Sequence, residues 1–291
     1  MSGLHFGMFK AQATIPELAE LDASMRSLAY TTGFSYRRWK RGLDVQLLKR
    51  SNDYRAEKLR TILLLEADFN MNNKVMGADA MRSGERRRLH TRDNYGGRKY
   101  LRSVEVNMNQ LLTYNSLWGR RGRAIIMSND AKGCYDRIAH IVVNLALHRF
   151  GIPKPALRSM LATIQAMTHH IRTAFGDSAG SYGNDPNDPP PAGILQGNGA
   201  GTAGWAAIAA VLVQEMRNAG FGFSDWTLIR DRAFTITCFA FVDDTDLIHA
   251  NNDPTVSTAQ LIQEAQAAST YGKAFFVRLE GPLLPKKATG T

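Results

Sequence analysis

Cys238-Phe239-Ala240-Phe241-Val242-Asp243-Asp244-Thr245-Asp246-Leu247-Ile248 runs as an apolar, aromatic-rich stretch into adjacent carboxylates and then resumes as a second apolar run. The pattern reads as strand, tight turn, strand. Aspartate forms strands poorly and turns well, which puts Asp243-Asp244 at the tip of a hairpin on a stiff base. Adjacent carboxylates repel unless a cation lies between them, and a hard divalent ion such as Mg²⁺ is the natural counter-charge. A plain surface turn would need polar flanks. Thr235 to Val242 is apolar enough to belong at the centre of a sheet, which favours the functional reading.

A second carboxylate stands at another strand end. Ala124-Ile125-Ile126-Met127 reads as a short buried strand closed by Ser128-Asn129-Asp130, and Ile138, Ile141, Val142 and Leu145 follow at the spacing of a core-facing helix. Asp136 sits where a helix N-cap is expected. Asp130, at the hand-over from strand to turn, has no such structural explanation.

Composition limits the partners. The 291 residues carry 36 Lys plus Arg against 26 Asp plus Glu, a formal charge of +10. Residues 1 to 123 hold 23 basic and 12 acidic residues, a net of +11, whereas the remainder holds 13 and 14, a net of −1. A basic front and a near-neutral back fit a front that holds a polyanion and a back that carries metal-binding carboxylates. Cys134 and Cys238 lie beside apolar stretches without zinc-type spacing and read as buried small hydrophobes in a reducing compartment. His169-His170 reads as part of a polar strand. The apolar run Ala203 to Val213 is too short to span a bilayer and no signal-peptide core opens the chain, so a soluble intracellular protein is expected.

Ser2-Gly3-Leu4-His5-Phe6-Gly7 opens the chain as if from the interior of something longer. Residues 14 to 30 place Ile15, Leu18, Leu21, Met25 and Leu28 at helical spacing, and the basic patch Arg37-Arg38-Trp39-Lys40-Arg41 follows. Asp44 to Lys49 and Lys58 to Leu65 read as the arms of an antiparallel hairpin bearing Lys49 and Arg60, cations that suit a triphosphate. Asn70 to Ala80 is helical. Residues 82 to 102 mix eight basic and two acidic residues with Tyr95, Tyr100 and Gly96-Gly97, a composition suited to a nucleic-acid backbone. Gly119-Arg120-Arg121-Gly122-Arg123 repeats that theme in a loop. Residues 176 to 195 read as a loop rich in glycine and proline. Gly193 to Gly201 then holds four glycines in nine residues, enough for a backbone to approach a flat ligand, before an Ala-rich helix that runs to about Met216.

In this order the elements resemble a reverse transcriptase of a eukaryotic retroelement, over nearly the whole chain. Ser128-Asn129-Asp130-Ala131-Lys132-Gly133-Cys134-Tyr135-Asp136 is similar to the first catalytic motif of the palm, Gln196-Gly197 to the second, and Phe241-Val242-Asp243-Asp244 to the aromatic-x-Asp-Asp box. The resemblance implies an α+β right-hand polymerase in which helices back an antiparallel palm sheet. It implies fingers over 1–103, a first palm segment over 104–150, a fingers insertion with its Pro/Gly-rich loop over 151–192, and a second palm segment over 193–291. The thumb and the other domains of a longer polyprotein are not represented.

By position, the resemblance implies that Asp130, Asp243 and Asp244 bind two Mg²⁺ ions, or Mn²⁺, for addition of deoxynucleotides to a primer 3′-hydroxyl. Tyr135 would underlie the sugar and exclude a 2′-hydroxyl. Gln196 and Gly197 would line the nucleotide pocket, and Lys49 and Arg60 would hold phosphates. Lys287, with Lys286 beside it, would protonate the pyrophosphate. The implied partners are an RNA template, a DNA primer and dNTPs, with no membrane. The chain departs from the family at Gly201-Thr202, where Ser-Pro or Gly-Pro is frequent. An RNA-dependent RNA polymerase, which usually has a second aspartate where Tyr135 stands, is one alternative. A non-catalytic nucleic-acid-binding remnant is another. No role is assigned to Asp246.

Overall fold

The structure is a computed structural model that describes residues 3, 6–130, 134–184, 193–227, 231–251, 253 and 255–279, with only the backbone described for Glu57, Asp130 and residues 274–279. In chain order the elements begin with α1 (Phe6–Gln12), α2 (Pro16–Thr32), β1 (Arg41–Leu48), β2 (Leu59–Leu64), α3 (Ala67–Arg86) and α4 (Ser103–Gly119). They continue with β3 (Ala124–Asp130), α5 (Cys134–Arg137), α6 (His140–Arg149), α7 (Lys154–Gln165), β4 (Thr168–Thr173) and β5 (Gly176–Asp177). The last are α8 (Gly201–Asn218), β6 (Phe223–Trp226), β7 (Ala233–Ile236), β8 (Cys238–Phe241), β9 (Asp244–Ala250) and α9 (Thr258–Leu279). They form two compact units, each built from two chain segments: residues 1–87 with 143–204, and 88–142 with 205–291. The cut points fall after residues 87, 142 and 204.

In the first unit a four-stranded sheet has the order β2-β1-β4-β5. The hairpin expected around residues 44 to 65 is present, with β1 antiparallel to β2 and Leu47 opposite Arg60. On its other side β1 pairs in parallel with β4, from Arg41 opposite Thr168 to Val45 opposite Arg172. Trp39, Phe69, Phe150, Leu157, Met160 and Ile164 are fully buried in this unit, and Trp39 lies 5.2 Å from Phe69 between ring centroids. The basic patch turns partly inward, because the buried Asp68 carboxylate accepts hydrogen bonds from Arg38 and from Trp39 Nε1 at 2.8 Å. His169 is in a strand as expected; it is buried, stacked on Tyr182, with Nδ1 3.0 Å from Asp44 Oδ2. The stretch after residue 176 is not all loop, since β5 and the Tyr182 bridge to His169 add to the sheet.

Two helices depart from their expected faces. Helix α2 packs against α7 and α3 but buries only Ala29, leaving Leu18, Leu21, Met25 and Leu28 exposed by 43 to 57%. The apolar spacing marks the outer face, because the helix docks through its small residue. In α6 the buried residues are Val143, Ala146 and Leu147, while Ile141 and Leu145 are 62% exposed. The short α5 ends at Arg137 and the helix restarts at His140, so the phase read through Ile138 does not carry into α6. Asp136 accordingly lies inside α5 and is not the cap of a longer helix.

The second unit is built on the three-stranded antiparallel sheet β3-β9-β8 with a separate β6-β7 hairpin. One apolar cluster joins Leu212, Val213, Met216, Cys238, Ala240, Leu247 and Ala268; another joins Val106, Leu117, Phe223, Phe239 and Ile248. The central strand is β9, so β8 is at the edge of the sheet, contrary to the expectation from its apolar composition. That edge is covered by the backbone of residues 93–95: Ala240 N donates to Asp93 O at 3.0 Å, and Tyr95 N donates to Ala240 O at 2.9 Å. A covered edge can be as apolar as a central strand. No helix among the described residues is long and apolar enough to cross a membrane.

Candidate active site

Strand β3 runs past Met127 to Asp130, and its antiparallel register with β9 places Asn129 opposite Thr245 and Asp130 opposite Asp244. Strands β8 and β9 close with Phe241 opposite Asp244, so the hairpin tip is Val242-Asp243 and Asp244 is already the first residue of β9. The turn is one residue earlier than the Asp-Asp pair suggests. Within the second unit, the backbone thus gathers Asp130, Asp243 and Asp244 at one end of one sheet.

The turn is held from several sides. Val242 has φ of 58°, a region that β-branched residues rarely enter, and its carbonyl accepts a hydrogen bond from Trp205 Nε1 at 2.6 Å. Gly96 packs so closely that a Cβ there would collide with Val242 N. Gly96 therefore makes room for the turn rather than for a nucleic-acid backbone, and half-buried Tyr95 has its hydroxyl 2.8 Å from Asn109 Nδ2. Below the turn, the buried Asp93 carboxylate accepts hydrogen bonds from Thr237 N at 2.8 Å and Arg217 Nη2 at 2.6 Å. Burial pushes its pKa up while the Arg217 guanidinium pulls it back. Burial also pushes the Cys238 thiol well up, and Cys134 is buried too, as the sequence reading expects of both cysteines.

Asp246 has a local role: its carboxylate accepts hydrogen bonds from Ser128 Oγ on β3 and from Gln110 Nε2 on α4, the latter at 2.8 Å. It fastens the carboxylate strands to each other and to the neighbouring helix. Among the described residues, by contrast, no Lys or Arg forms an ion pair with half-buried Asp243 or exposed Asp244. No group of three described His, Cys, Asp or Glu side chains is close enough to hold a metal, the side chain of Asp130 lying outside that description. Two neighbouring carboxylates, one directly across from a third aspartate in register, have the charge and oxygen chemistry that suit a divalent ion.

The other predicted site residues divide between the units. Tyr135 is half-buried in α5 of the second unit. In the first unit, exposed Arg60 lies on β2 and exposed Lys49 one residue beyond β1. Gln196 joins them there, since its carbonyl accepts a hydrogen bond from Leu63 N on β2 at 2.9 Å. Gly197 has φ of 116°, and a Cβ would strike Leu63 O. Asn70 clamps the same turn, donating to Gly197 O at 3.1 Å and accepting from Gly199 N at 2.7 Å. The glycines of this turn thus serve packing on β2 and α3. Lys286 and Lys287 lie outside the described residues. Sequence reading missed Asp93, Gln110, Trp205 and the pairing of Gly96 with Val242, which arise from contacts remote in sequence and leave no motif.

No family model matches the chain and no curated protein matches it. Among solved structures, the chain is similar to telomerase, a reverse transcriptase, from Candida albicans in complex with the TWJ fragment of telomeric RNA, with 10% identity and a TM-score of 0.53, over 94% of this chain and 46% of that one. An apo telomerase from Candida tropicalis has 12% identity and a TM-score of 0.49, over 88% and 47%. The chain spans about half the length of these structures. Its fold is a mixed α+β arrangement, with a mixed sheet in the first unit and an antiparallel sheet in the second, and is similar to the fold of telomerase.

Proposed function

We propose that the chain forms the fingers and palm of an RNA-directed DNA polymerase of retroelement type, adding deoxynucleotides to a primer 3′-hydroxyl. One observation carries the reading: Asp130 stands in register with Asp244, and Asp243 is the next residue, at the hairpin tip. Asp130, Asp243 and Asp244 would hold two Mg²⁺ ions, or Mn²⁺, which when bound lower the barrier to attack by the hydroxyl and to departure of pyrophosphate.

The chain's own residues do the remaining work. The tethered turn fixes the carboxylates before substrate arrives, so little reorganisation is needed at the moment of reaction. Lys49 and Arg60 bind the triphosphate oxygens, Gln196 and Gly197 border the base and sugar, and Tyr135 blocks a 2′-hydroxyl. Lys287 supplies a proton to the leaving group. RNA template and DNA primer lie along the basic residues of the front half, where phosphate contacts make binding salt-dependent.

The test is primer extension on RNA and DNA templates, together with thermal unfolding in Mn²⁺ or Mg²⁺. Asp243→Asn is expected to reduce extension at least about a hundredfold, to leave the metal-free melting temperature nearly unchanged, and to remove the stabilisation by metal. Metal-independent stability in the unmutated protein, or full extension by the folded variant, overturns the assignment. Equal use of rNTPs and dNTPs by the unmutated protein moves it to an RNA polymerase.

A further inference from the structure

Two helices carry exposed apolar stripes that nothing among the described residues covers. On α4, Val104, Met108, Leu111 and Trp118 are 63, 54, 56 and 84% exposed, at spacings of four, three and seven residues. They lie opposite Val106, Thr113 and Leu117, which face the core, so the outer side of this helix is as apolar as its inner side. Leu112, 59% exposed, extends the stripe towards an open cavity of about 510 Å³ lined by Tyr95, Phe223, Phe234 and Ile236. On α2, Leu18, Leu21, Met25 and Leu28 follow the three-four spacing of a coiled-coil seam at 43 to 57% exposure. The α2 stripe is aliphatic and neither stacks on bases nor donates to phosphate, and on α4 only Trp118, at the end of the stripe, could stack on a base, so nucleic acid does not account for Val104, Met108 and Leu111.

Their charges are opposite. Around the α2 seam stand exposed Glu17 and Glu20, while Asp22 pairs with Arg26 at 2.5 Å. Helix α4 is bracketed by Lys99 and Arg102 before its start and by Arg121 after its end, beside Arg120, which pairs with Asp225, and Arg123, which donates to Val256 O; its single acid, Glu105, is turned back onto Arg102 N. A like pairing of α2 with α2 in parallel would bring Glu17 near Asp22 of the other chain, at the flanking positions where opposite charges are favoured. We infer that the α2 seam of one copy docks on the α4 stripe of a second copy, with leucines meeting leucines and glutamates meeting the basic ends of α4. A single helix pair lies at the small end of interface sizes, which places the association at about micromolar concentrations. This pairing uses none of the carboxylates but shares the basic residues around α4 with the proposed nucleic-acid track, so it is tested without nucleic acid and its failure leaves the polymerase reading standing.

Sedimentation of the full chain from about 1 to 100 µM, without nucleic acid, tests it. Concentration-dependent self-association is expected. Leu21→Glu and Leu111→Glu, both at exposed positions, should each weaken it at least about tenfold, a loss of about 1.4 kcal/mol. Mixing the two variants should restore association, since the intact α4 of one meets the intact α2 of the other. A monomer throughout the range overturns the inference. So does association insensitive to either variant, or lost in one variant alone, which would mean that a helix pairs with its own kind. Circular dichroism and melting of each variant keep the result interpretable if one of them is misfolded, and Leu18→Gln with Met108→Gln then repeats the mixing with milder changes.

Discussion

The Gln196-Gly197 turn of the first unit and the Val242-Asp243 turn of the second solve one steric problem in opposite ways. Each brings a tight turn against another stretch of backbone. At Gly197 the glycine is in the turn, takes the positive φ itself and lets Leu63 O come close. At Val242 the turn keeps a β-branched residue at φ 58°, and the glycine sits on the neighbour, at Gly96. A glycine in the turn lowers the cost of one conformation. A glycine beside the turn, with Trp205 gripping the carbonyl, over-determines a conformation that remains costly. The second arrangement belongs next to groups whose position matters, and the carboxylates are there.

The largest expected effect tests the first turn. Gly197→Ala adds both a strained φ and a collision with Leu63 O, and should lower stability by about 3 kcal/mol or more in chemical denaturation. Loss of less than about 1 kcal/mol would remove the contrast. Gly96→Ala should cost somewhat less, about 2 kcal/mol, because its collision with the Val242 backbone comes without a strained φ of its own, and it should depress primer extension more than its stability loss accounts for. Smaller still, Val242→Gly should raise stability by about 1 kcal/mol, since relief of the positive φ outweighs the entropy of glycine, while extension falls. A gain in both would show that the strained turn has no use. The finest probe is chemical: the Cys238 thiol, buried and kept protonated, should resist alkylation at pH 8 in the native protein and become reactive in Gly96→Ala. Equal protection in both proteins would place the displacement above β8.

The sequence shows the hairpins well, because alternation and turn residues are local. The hairpin read over 44–49 and 58–65 is present with arms 41–48 and 59–64, and the strand ending at Asp130 is only lengthened, since cross-strand pairing carries the polar Ser128 and Asn129 into it. Faces are harder to read. The seam on α2 looks like a core face, and nothing local distinguishes an apolar stripe that meets the interior from one that meets solvent. In β8 the apolar composition suggests a central place, whereas a backbone segment about 145 residues upstream, Asp93 to Tyr95, covers an edge. Glycines were the least legible. Gly96, Gly197 and Gly199 look equally suited to a ligand, yet their close contacts are with Val242, Leu63 and Lys74 of the protein itself.

The parallel join between β1 and β4 also sets a schedule for the growing chain. Arg41 leaves the ribosome long before Thr168, its neighbour in the sheet, and at about 5 to 20 residues per second the wait is on the order of ten seconds. During that interval both outer edges of the β1-β2 hairpin are open, β1 lacking β4 and β2 lacking Gln196, and each is a template for any passing strand. Through the same interval the second unit lacks its own later half, residues 205–291, so neither unit can close early. A nascent chain of this design depends on speed of synthesis and on shielding, and slowing translation between residues 88 and 167 is where aggregation should begin.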